Sequence, residues 1–394
     1  MRSSLIIYFC LLFCSATCFA QILKGTVVDA ETKEPITGAN VYLNGTTLGD
    51  MSGLSGIYII KVPNIIYTQL IASYMGYESV IIEKPFDYLP DTIFLKEKNF
   101  DLNEVTVKGK ATFSEKQKMK AFREQFLGTS TTSRGCKILN EKDIRIVYDP
   151  ETNELQAYSD VPIVIDNKYL GYKILWELID FTLVLNDRKS LAPRNIETVS
   201  IIGAASFEDT GRNNITFFRR REDAYRYSKN IFFSSLSNKK LKNKDIYIFN
   251  NTPNLEDLAN EEPTEYSEWF SIEQEEDSNT KKLIVNPKKT DSTGIAGFIV
   301  VFAKRYGGQT NLNHPLSTLN SAQLKVVISS QTYNTASLSR VFISTDKFNV
   351  DVYGNTDMVK ELFVTGDFGV SRISDQLPLD YISLPQPSQK NKKK

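Results

Sequence analysis

The chain has 394 residues, with 47 Lys and Arg against 47 Asp and Glu and a single His. At roughly 100–200 residues per domain, this length predicts two or three folded units, and 41% hydrophobic with 24% charged residues is typical of a globular protein. The formal net charge of +0 gives no field of one sign for nucleic acid, and a single His excludes sites that need several imidazoles, such as His-rich zinc sites.

Residues 1–20 have the layout of a secretory signal peptide. Arg2 precedes an apolar run from Leu5 to Phe13, and Cys18-Phe19-Ala20 has the small-x-small pattern of a cleavage site. Because the run is too short to cross a bilayer, we expect an exported mature chain without a transmembrane span, located in the periplasm or at the outer membrane. A lipoprotein acylated on Cys18 is the alternative, although the residues before it lack the usual Leu.

Cleavage after Ala20 removes three of the four cysteines and leaves Cys136. No disulfide within the mature chain is then possible. We interpret Cys136 as a small apolar core residue. A nucleophilic Cys136 would need a base, and the one histidine, His314, precedes a proline in a loop-like segment.

Residues 21–97 predict a β-sandwich, because short apolar strands alternate with turn signals. Asn44-Gly45 favours a tight turn, and Pro63 ends a strand. A unit of this size needs two facing sheets to form a core. About seven strands are expected, among them Leu23–Val28, Ala39–Leu43, Ile57–Val62, Leu70–Tyr74, Ser79–Glu83 and Thr92–Leu95.

An ordered series of motifs extends from this region into the next segment. The motifs are Lys24-Gly25-Thr26-Val27-Val28-Asp29, Glu34-Pro35-Ile36-Thr37-Gly38-Ala39-Asn40-Val41, Gly56-Ile57-Tyr58, Ser73-Tyr74-Met75-Gly76-Tyr77-Glu78 and Leu102-Asn103-Glu104-Val105-Thr106-Val107. The series resembles the carboxypeptidase-regulatory-like domain of exported Bacteroidetes-type proteins, which implies a transthyretin-like Greek-key β-sandwich. Gly53 departs from the pattern, since the family usually has Asp or another polar turn residue there.

The resemblance does not imply the activities of the proteins that carry this domain. A zinc carboxypeptidase needs two His and a Glu as metal ligands, and the chain has one His. TonB-dependent outer-membrane receptors also carry the domain, but the roughly 280 residues that follow it are too few for a plug and a barrel of about 22 strands. Both classes are therefore excluded.

Residues 98–112 are expected to form a linker or an edge strand, followed by a helix over about 115–127. Ser114 and Gln117 have capping-box spacing, and Met119, Phe122 and Phe126 recur at helical intervals. The apolar stripe is interpreted as core-facing.

Residues 113–384 predict a mixed α+β domain built on antiparallel sheet. A hairpin is expected at 144–148 and 154–158, and a second helix is expected from Arg219 to about Leu236. Further strands are expected at 163–165, 171–185, 198–202, 321–329, 340–344 and 348–353.

This body resembles the region that follows the same sandwich in exported Bacteroidetes proteins, for which no activity is established. The resemblance lies in Arg221-Glu222-Asp223-Ala224-Tyr225 and Arg372-Ile373-Ser374-Asp375-Gln376-Leu377-Pro378-Leu379-Asp380-Tyr381. Residues 385–394 are expected to form a disordered basic tail.

Two oppositely charged segments follow one another, a basic one over 212–244 and an acidic one over 254–280. Aromatic residues within the basic segment allow a nucleic-acid interpretation, and the acidic segment allows a calcium interpretation, although the Asp/Asn spacing of a calcium loop is absent. We interpret both segments as solvated faces or as partners that neutralise each other.

No catalytic, cofactor-binding or metal-binding residues are assigned, because no motif with a mechanism is present. Tyr42, Tyr58, Tyr74 and Tyr77 form a candidate glycan or peptide platform, although strand aromatics more often pack in cores. The sequence favours a non-catalytic envelope protein that binds a protein, glycan or peptide, without a cofactor or nucleic acid. The alternatives are an envelope hydrolase that uses carboxylates or a Ser–Lys pair, and an accessory of a TonB-dependent uptake system.

Overall fold

The computed structural model describes residues 21–98, 112–211, 214–237, 246–252, 261–277, 280–303, 305–306, 309–310, 336–358, 360–366 and 372–383. The predicted signal peptide, most of the predicted linker, the predicted strand 321–329, His314 and the predicted tail lie outside these residues.

The N-terminal unit is a sandwich of two sheets with the orders β4-β1-β7 and β3-β2-β5-β6. Tyr58, Ile60 and Val62 alternate with exposed residues along β4 and point into the core between the sheets. The sandwich predicted from the sequence is confirmed. Its strands are β1 (Gln21–Asp29), β2 (Asn40–Leu43), β3 (Gly49–Met51), β4 (Ile57–Val62), β5 (Leu70–Ser73), β6 (Val80–Ile82) and β7 (Thr92–Leu95).

The middle unit packs one helix on a six-stranded antiparallel sheet. Helix α1 (Glu115–Phe126) starts with the predicted capping box, since Ser114 and Gln117 each bond the other's backbone N–H. Its buried Phe122 and Phe126 stack on each other at 4.9 Å between ring centroids and contact the sheet. The strands are β8 (Cys136–Ile138), β9 (Ile144–Asp149), β10 (Glu154–Ser159), β11 (Ile163–Asn167), β12 (Tyr172–Leu185) and β13 (Ile196–Asp209).

The long strand β12 organises this sheet. Along one edge it pairs with β13 over nearly its whole length, and along the other it pairs with β11 near its start and with β10 near its end. The predicted hairpin is present as β9 and β10, with Asn153 in a left-handed conformation at the turn (φ 64).

The third unit contains two further sheets, with the orders β14-β17-β20-β22 and β15-β16-β21. Its core is rich in phenylalanine. The ring of Phe298, for example, contacts the rings of Phe232, Trp269 and Phe270. The elements are α2 (Ile215–Arg226), α3 (Lys229–Ser237), β14 (Ile246–Asn250), α4 (Tyr266–Trp269), β15 (Phe270–Asp277), β16 (Thr280–Pro287), β17 (Ala296–Ala303), β18 (Arg305–Tyr306), β19 (Gln309–Thr310), β20 (Ala336–Ile343), β21 (Phe348–Val350) and β22 (Leu362–Gly366).

The prediction of one helix from Arg219 to Leu236 is wrong at its start and in its continuity. Helix α2 begins earlier because Asn214 Oδ1 accepts hydrogen bonds from the N–H groups of Thr216 and Phe217. The helix then ends, and two residues separate it from α3. One of them, Ser228, donates its Oγ to Tyr225 O at 2.8 Å. A short side chain that bonds the preceding turn competes with helix continuation.

Within the described ranges, no helix has both the length and the apolar character needed to cross a membrane.

Candidate ligand cavity

The turn between β2 and β3 joins the sandwich to the middle sheet. Asn44 Oδ1 accepts a hydrogen bond from Ala205 N at 2.9 Å, and Gly45 N donates to Ala205 O at 2.7 Å. Phe207 N donates to Thr46 O at 2.9 Å, so that this turn extends the sheet beside β13. Gly45 needs its left-handed conformation (φ +75) here, which glycine adopts without a steric penalty.

A second contact between the sandwich and the middle sheet is centred on Glu177 of β12. Its two carboxylate oxygens accept hydrogen bonds from Tyr42 OH at 3.0 Å and from Ser79 Oγ at 2.7 Å. Tyr42 is 6% exposed, and burial, followed by the charge of Glu177, raises the pKa of its hydroxyl. The phenol therefore stays neutral and remains the donor to Glu177.

The segment 372–383 contacts all the units. Leu379 N donates to Gly45 O of the sandwich at 2.7 Å. Ser374 Oγ donates at 2.6 Å to the backbone oxygen of Leu127, the residue that follows α1. Tyr381 OH donates to Glu222 on α2 at 2.6 Å. The two motif segments noted in the body, 221–225 and 372–381, therefore meet at one junction.

An Asp351–Asn355 pair connects this junction to the third unit. Asp351 accepts from Tyr67 N of the sandwich at 3.1 Å and from Asn355 Nδ2 at 2.9 Å. Asn355 Nδ2 also donates to Leu379 O at 3.0 Å, and Asn355 Oδ1 accepts from Asn230 Nδ2 at 2.6 Å. The start of α3 is fixed to the sandwich through this network.

A cavity of about 870 Å³ lies at this junction. Its lining comes from segments that are far apart in the sequence: the β2–β3 turn, the residues after α1, the β12–β13 hairpin, α2 and the start of α3, and the segment 375–381. Aromatic side chains contribute much of the wall, among them Trp176, Phe207, Tyr225 and Tyr381. Trp176 is 7% exposed, and its indole Nε1 has no hydrogen-bond partner among the described residues.

Lys229 is the one cation among the described residues that line the cavity. Its side chain is exposed, yet desolvation by the surrounding protein lowers the pKa of its ammonium group. Both observations hold for a side chain that points into a cavity walled by protein. Within the part of the chain that the structure describes, the ammonium has no hydrogen bond or ion pair, and desolvation is the only cause of its shift.

The two serine hydroxyls of this cavity are already engaged. Ser228 Oγ donates to Tyr225 O, and Ser130 Oγ donates to Asp375 at 2.7 Å. Neither serine hydroxyl is bonded to Lys229, so the lining has no Ser–Lys pair poised for nucleophilic attack. The described residues also contain no group of three or more His, Cys, Asp or Glu that is able to hold a metal ion.

Cys136 lies outside the cavity lining and is half-buried against the middle core. Its Sγ is 3.5 Å from Thr132 O, and burial raises the pKa of the thiol to about 12. A thiol with this pKa is not ionised at neutral pH and is a poor nucleophile.

One arginine of the basic segment is buried, whereas Arg219 of the same helix is exposed. Arg221 is 6% exposed and forms a two-pronged ion pair with Asp209, at 2.9 Å (Nη1–Oδ2) and 2.8 Å (Nη2–Oδ1). Arg220 lies over the ring of Tyr169 at 4.3 Å. Arg221 is therefore neutralised by β13 and not by the acidic segment.

The four tyrosines of the candidate platform do not share a surface. Tyr58 is buried in the core of the sandwich, and Tyr42 is buried where the sandwich meets β12 and β13. Tyr74 and Tyr77 lie near the surface of the sandwich with ring centroids 5.6 Å apart. Tyr77 OH donates to Asp29 at 2.8 Å. The core-packing interpretation therefore holds for the first two, and no platform of four rings exists.

Architecture and site define a protein with a non-catalytic accessory β-sandwich docked on a larger mixed α/β body. Residues 23–107 match the family model of the CarboxypepD_reg-like domain, which confirms the family resemblance of the N-terminal motifs. The matched range ends before the body that supplies most of the cavity wall. No curated protein matches the chain.

The sequence indicates no site residues, and neither the cavity nor Lys229 is among the features that it predicts. The sequence contains only an indirect indication of the cavity. The two motifs noted in the body, 221–225 and 372–381, both contribute residues to its wall, among them Ala224, Tyr225 and Asp375. Lys229 itself has no sequence signal, because it is one of several basic residues in its segment.

Proposed function

We propose that this chain is an exported, non-catalytic protein of the cell envelope that binds a ligand in the cavity at the junction of its units. The observation that carries the proposal is the cavity itself. Its volume of about 870 Å³ falls within the range of about 300–1,000 Å³ that is usual for ligand sites, and such sites occur preferentially where domains meet.

The composition of the wall supports binding. Ligand sites combine apolar and aromatic surface with a few polar groups that fix orientation, and this wall combines Trp176, Phe207 and Tyr225 with Lys229 and Asp375. The two serines of the lining donate their hydroxyls to Tyr225 O and Asp375, and neither is paired with a base that would activate it. Binding without turnover is therefore the function that the wall supports best.

The sandwich has a structural part in this proposal. Asn44 and Gly45 belong both to the cavity wall and to the hydrogen bonds that dock the sandwich on β13. The accessory domain would complete the site by its docking, and a ligand in the cavity would in turn stabilise that docking by mass action.

The test is ligand capture by the full mature chain. The protein is recovered from an envelope extract, analysed by native mass spectrometry, and then titrated with peptides, oligosaccharides and lipids of envelope origin. Ala224→Trp places a bulky indole at the cavity wall, where it should obstruct binding, and Arg219→Trp on the exposed side of α2 is the matched control.

We expect a bound small molecule with the wild-type chain and Arg219→Trp, its loss with Ala224→Trp, and no product from any substrate. Hydrolysis of a panel member would support the hydrolase alternative. If the wild-type chain neither carries nor binds any panel member, the proposal is wrong.

A further inference from the structure

We propose that the cavity binds ligands through a carboxylate, with Lys229 as the residue that pairs with it and with an apolar group of the ligand against the aromatic wall. This inference rests on the proposed binding function and adds the chemical class of the ligand.

The first argument is the missing counterion. Charged groups withdrawn from bulk water are normally paired, because an isolated one loses its hydration without compensation. Arg221, eight residues before Lys229 in the sequence, follows this rule through Asp209. Lys229 differs, because its side chain is exposed to the cavity and no described residue pairs with it. Its ammonium is therefore available to an anion that enters the cavity.

The second argument is the position of Lys229 in the chain. It is the first residue of α3, a helix of nine residues, and the first turn of a helix carries partial positive charge from its N–H groups. Asn230 is held by Asn355 at 2.6 Å, which fixes this helix start at the edge of the cavity. The ammonium and the helix start therefore both favour an anion in the cavity.

The third argument concerns the charge of the anion. The described lining contains one cation, Lys229, and one acid, Asp375. A monocarboxylate would be neutralised by the single positive charge of Lys229. A dianion such as phosphate would carry a second negative charge for which the described lining has no cation. The geometry thus favours a carboxylate over a phosphate.

The rest of the ligand is apolar. Trp176, Phe207 and Leu377 present indole, phenyl and aliphatic surface to the same cavity, and apolar contact is favoured by the area removed from water. A carboxylate joined to an apolar group occurs at the C-terminus of a peptide and at the end of an acyl chain. The experiment separates these two sources.

Binding is measured by calorimetry with matched pairs of charged and neutral probes. The pairs are decanoate with decanol, and N-acetyl-Phe-Phe with its C-terminal amide; inorganic phosphate is the dianion. The proteins are the full mature chain, Lys229→Met and Lys168→Met. Lys168 is the control because its side chain is 78% exposed and outside the cavity lining.

A hydrogen bond to a charged group contributes enough to change affinity by about 10-fold to 100-fold. We expect the wild-type chain and Lys168→Met to prefer a carboxylate probe over its neutral partner by this factor, and Lys229→Met to lose the preference. Decanoate alone would identify the acyl source, and the peptide alone would identify the C-terminal source. Binding of inorganic phosphate in place of either carboxylate would overturn the assignment.

Two further outcomes would overturn the inference. One is a wild-type chain that binds no carboxylate probe, and the other is a preference that survives in Lys229→Met. Equal binding of charged and neutral probes by all three proteins would leave the cavity as a binding site and remove only the role of Lys229. Retention of ligand by Ala224→Trp, in contrast, would reject the cavity and with it the proposed function.

Discussion

Replacing Arg221 by Met should unfold the chain at a lower denaturant concentration than any exposed substitution in the same helix. The guanidinium pairs with Asp209 through both of its terminal nitrogens, donates from Nε to Leu170 O at 2.7 Å and from Nη2 to Gly171 O at 2.8 Å, and lies 3.9 Å from the centroid of the Tyr172 ring. Methionine preserves apolar contact and removes every one of these polar contacts.

The expected loss follows from what Arg221→Met leaves behind. The Asp209 side chain is only 13% exposed, so its carboxylate would be a nearly buried charge without its main partner. Removing one partner of a buried pair costs about 3–5 kcal/mol, mostly because of the orphaned charge. Two buried carbonyl oxygens lose donors as well.

Arg219→Met is the matched control, because Arg219 lies on the same helix and is exposed. Its effect should stay within about 0.5 kcal/mol. The double variant Asp209→Asn with Arg221→Met should recover part of the loss, since it removes the orphaned charge.

The assay is urea unfolding followed by the fluorescence of Trp176. The chain has two tryptophans, and a Trp269→Phe background leaves the one that lies in β12, opposite Ala205 of β13. If Arg221→Met and Arg219→Met lose the same stability, or if Arg221→Met loses less than about 1 kcal/mol, the buried ion pair does not exist as described.

Three further predictions follow from local contacts. Tyr42→Phe should lower the stability of the fold by about 1.5–3 kcal/mol, because it removes a hydrogen bond to the Glu177 carboxylate. Tyr58→Phe should be neutral or stabilising, because Tyr58 OH is buried without a partner among the described residues. Equal effects of the two variants in thermal melts would contradict this contrast. Ser114→Ala should cost about 0.5–2 kcal/mol in the same melts through loss of the α1 cap, and an unchanged melting temperature would argue against the capping box. Lys229→Met should raise the melting temperature at pH 7. The pKa of Lys229 is lower in the folded chain than in the unfolded chain, so the unfolded chain binds the proton more tightly and the lysine destabilises the fold below the unfolded pKa. The gain should shrink towards pH 10.5, and a gain that does not change with pH would refute the charge-based explanation.

The sandwich and α1 were accessible from the sequence because their signals are local. Alternation along Ile57–Val62 determines which face of β4 is buried, and the spacing of Ser114 and Gln117 marks a helix start without any tertiary contact. The same holds for the hairpin of β9 and β10, where Asn153 supplies the left-handed turn residue.

The second helix and the basic segment were not accessible in this way. Asn214 is a good cap, but nothing nearby in the sequence distinguishes it from other polar residues that precede an apolar position. Arg221 and Arg219 belong to the same run of three arginines, and only the packing of α2 against β13 makes one of them buried and the other exposed.

The cavity depends on contacts over long sequence separations. Thr47 and Asp380, which meet through Thr47 N and Asp380 Oδ1 at 3.0 Å, are 333 positions apart. No periodicity or motif spacing predicts such a contact. Lys229 therefore becomes a cavity residue only when the units dock.

The segment 372–383 gives the chain a fixed order of assembly. Domains form as units while a chain is synthesised, the N-terminal one first, so the sandwich and the middle sheet are complete before Ser374, Leu379 and Tyr381 exist. Those residues then bond to Leu127, Gly45 and Glu222 respectively. A chain truncated before residue 372 would lack these three bonds and part of the cavity wall, so the site would be complete only after residues 372–383 have been made.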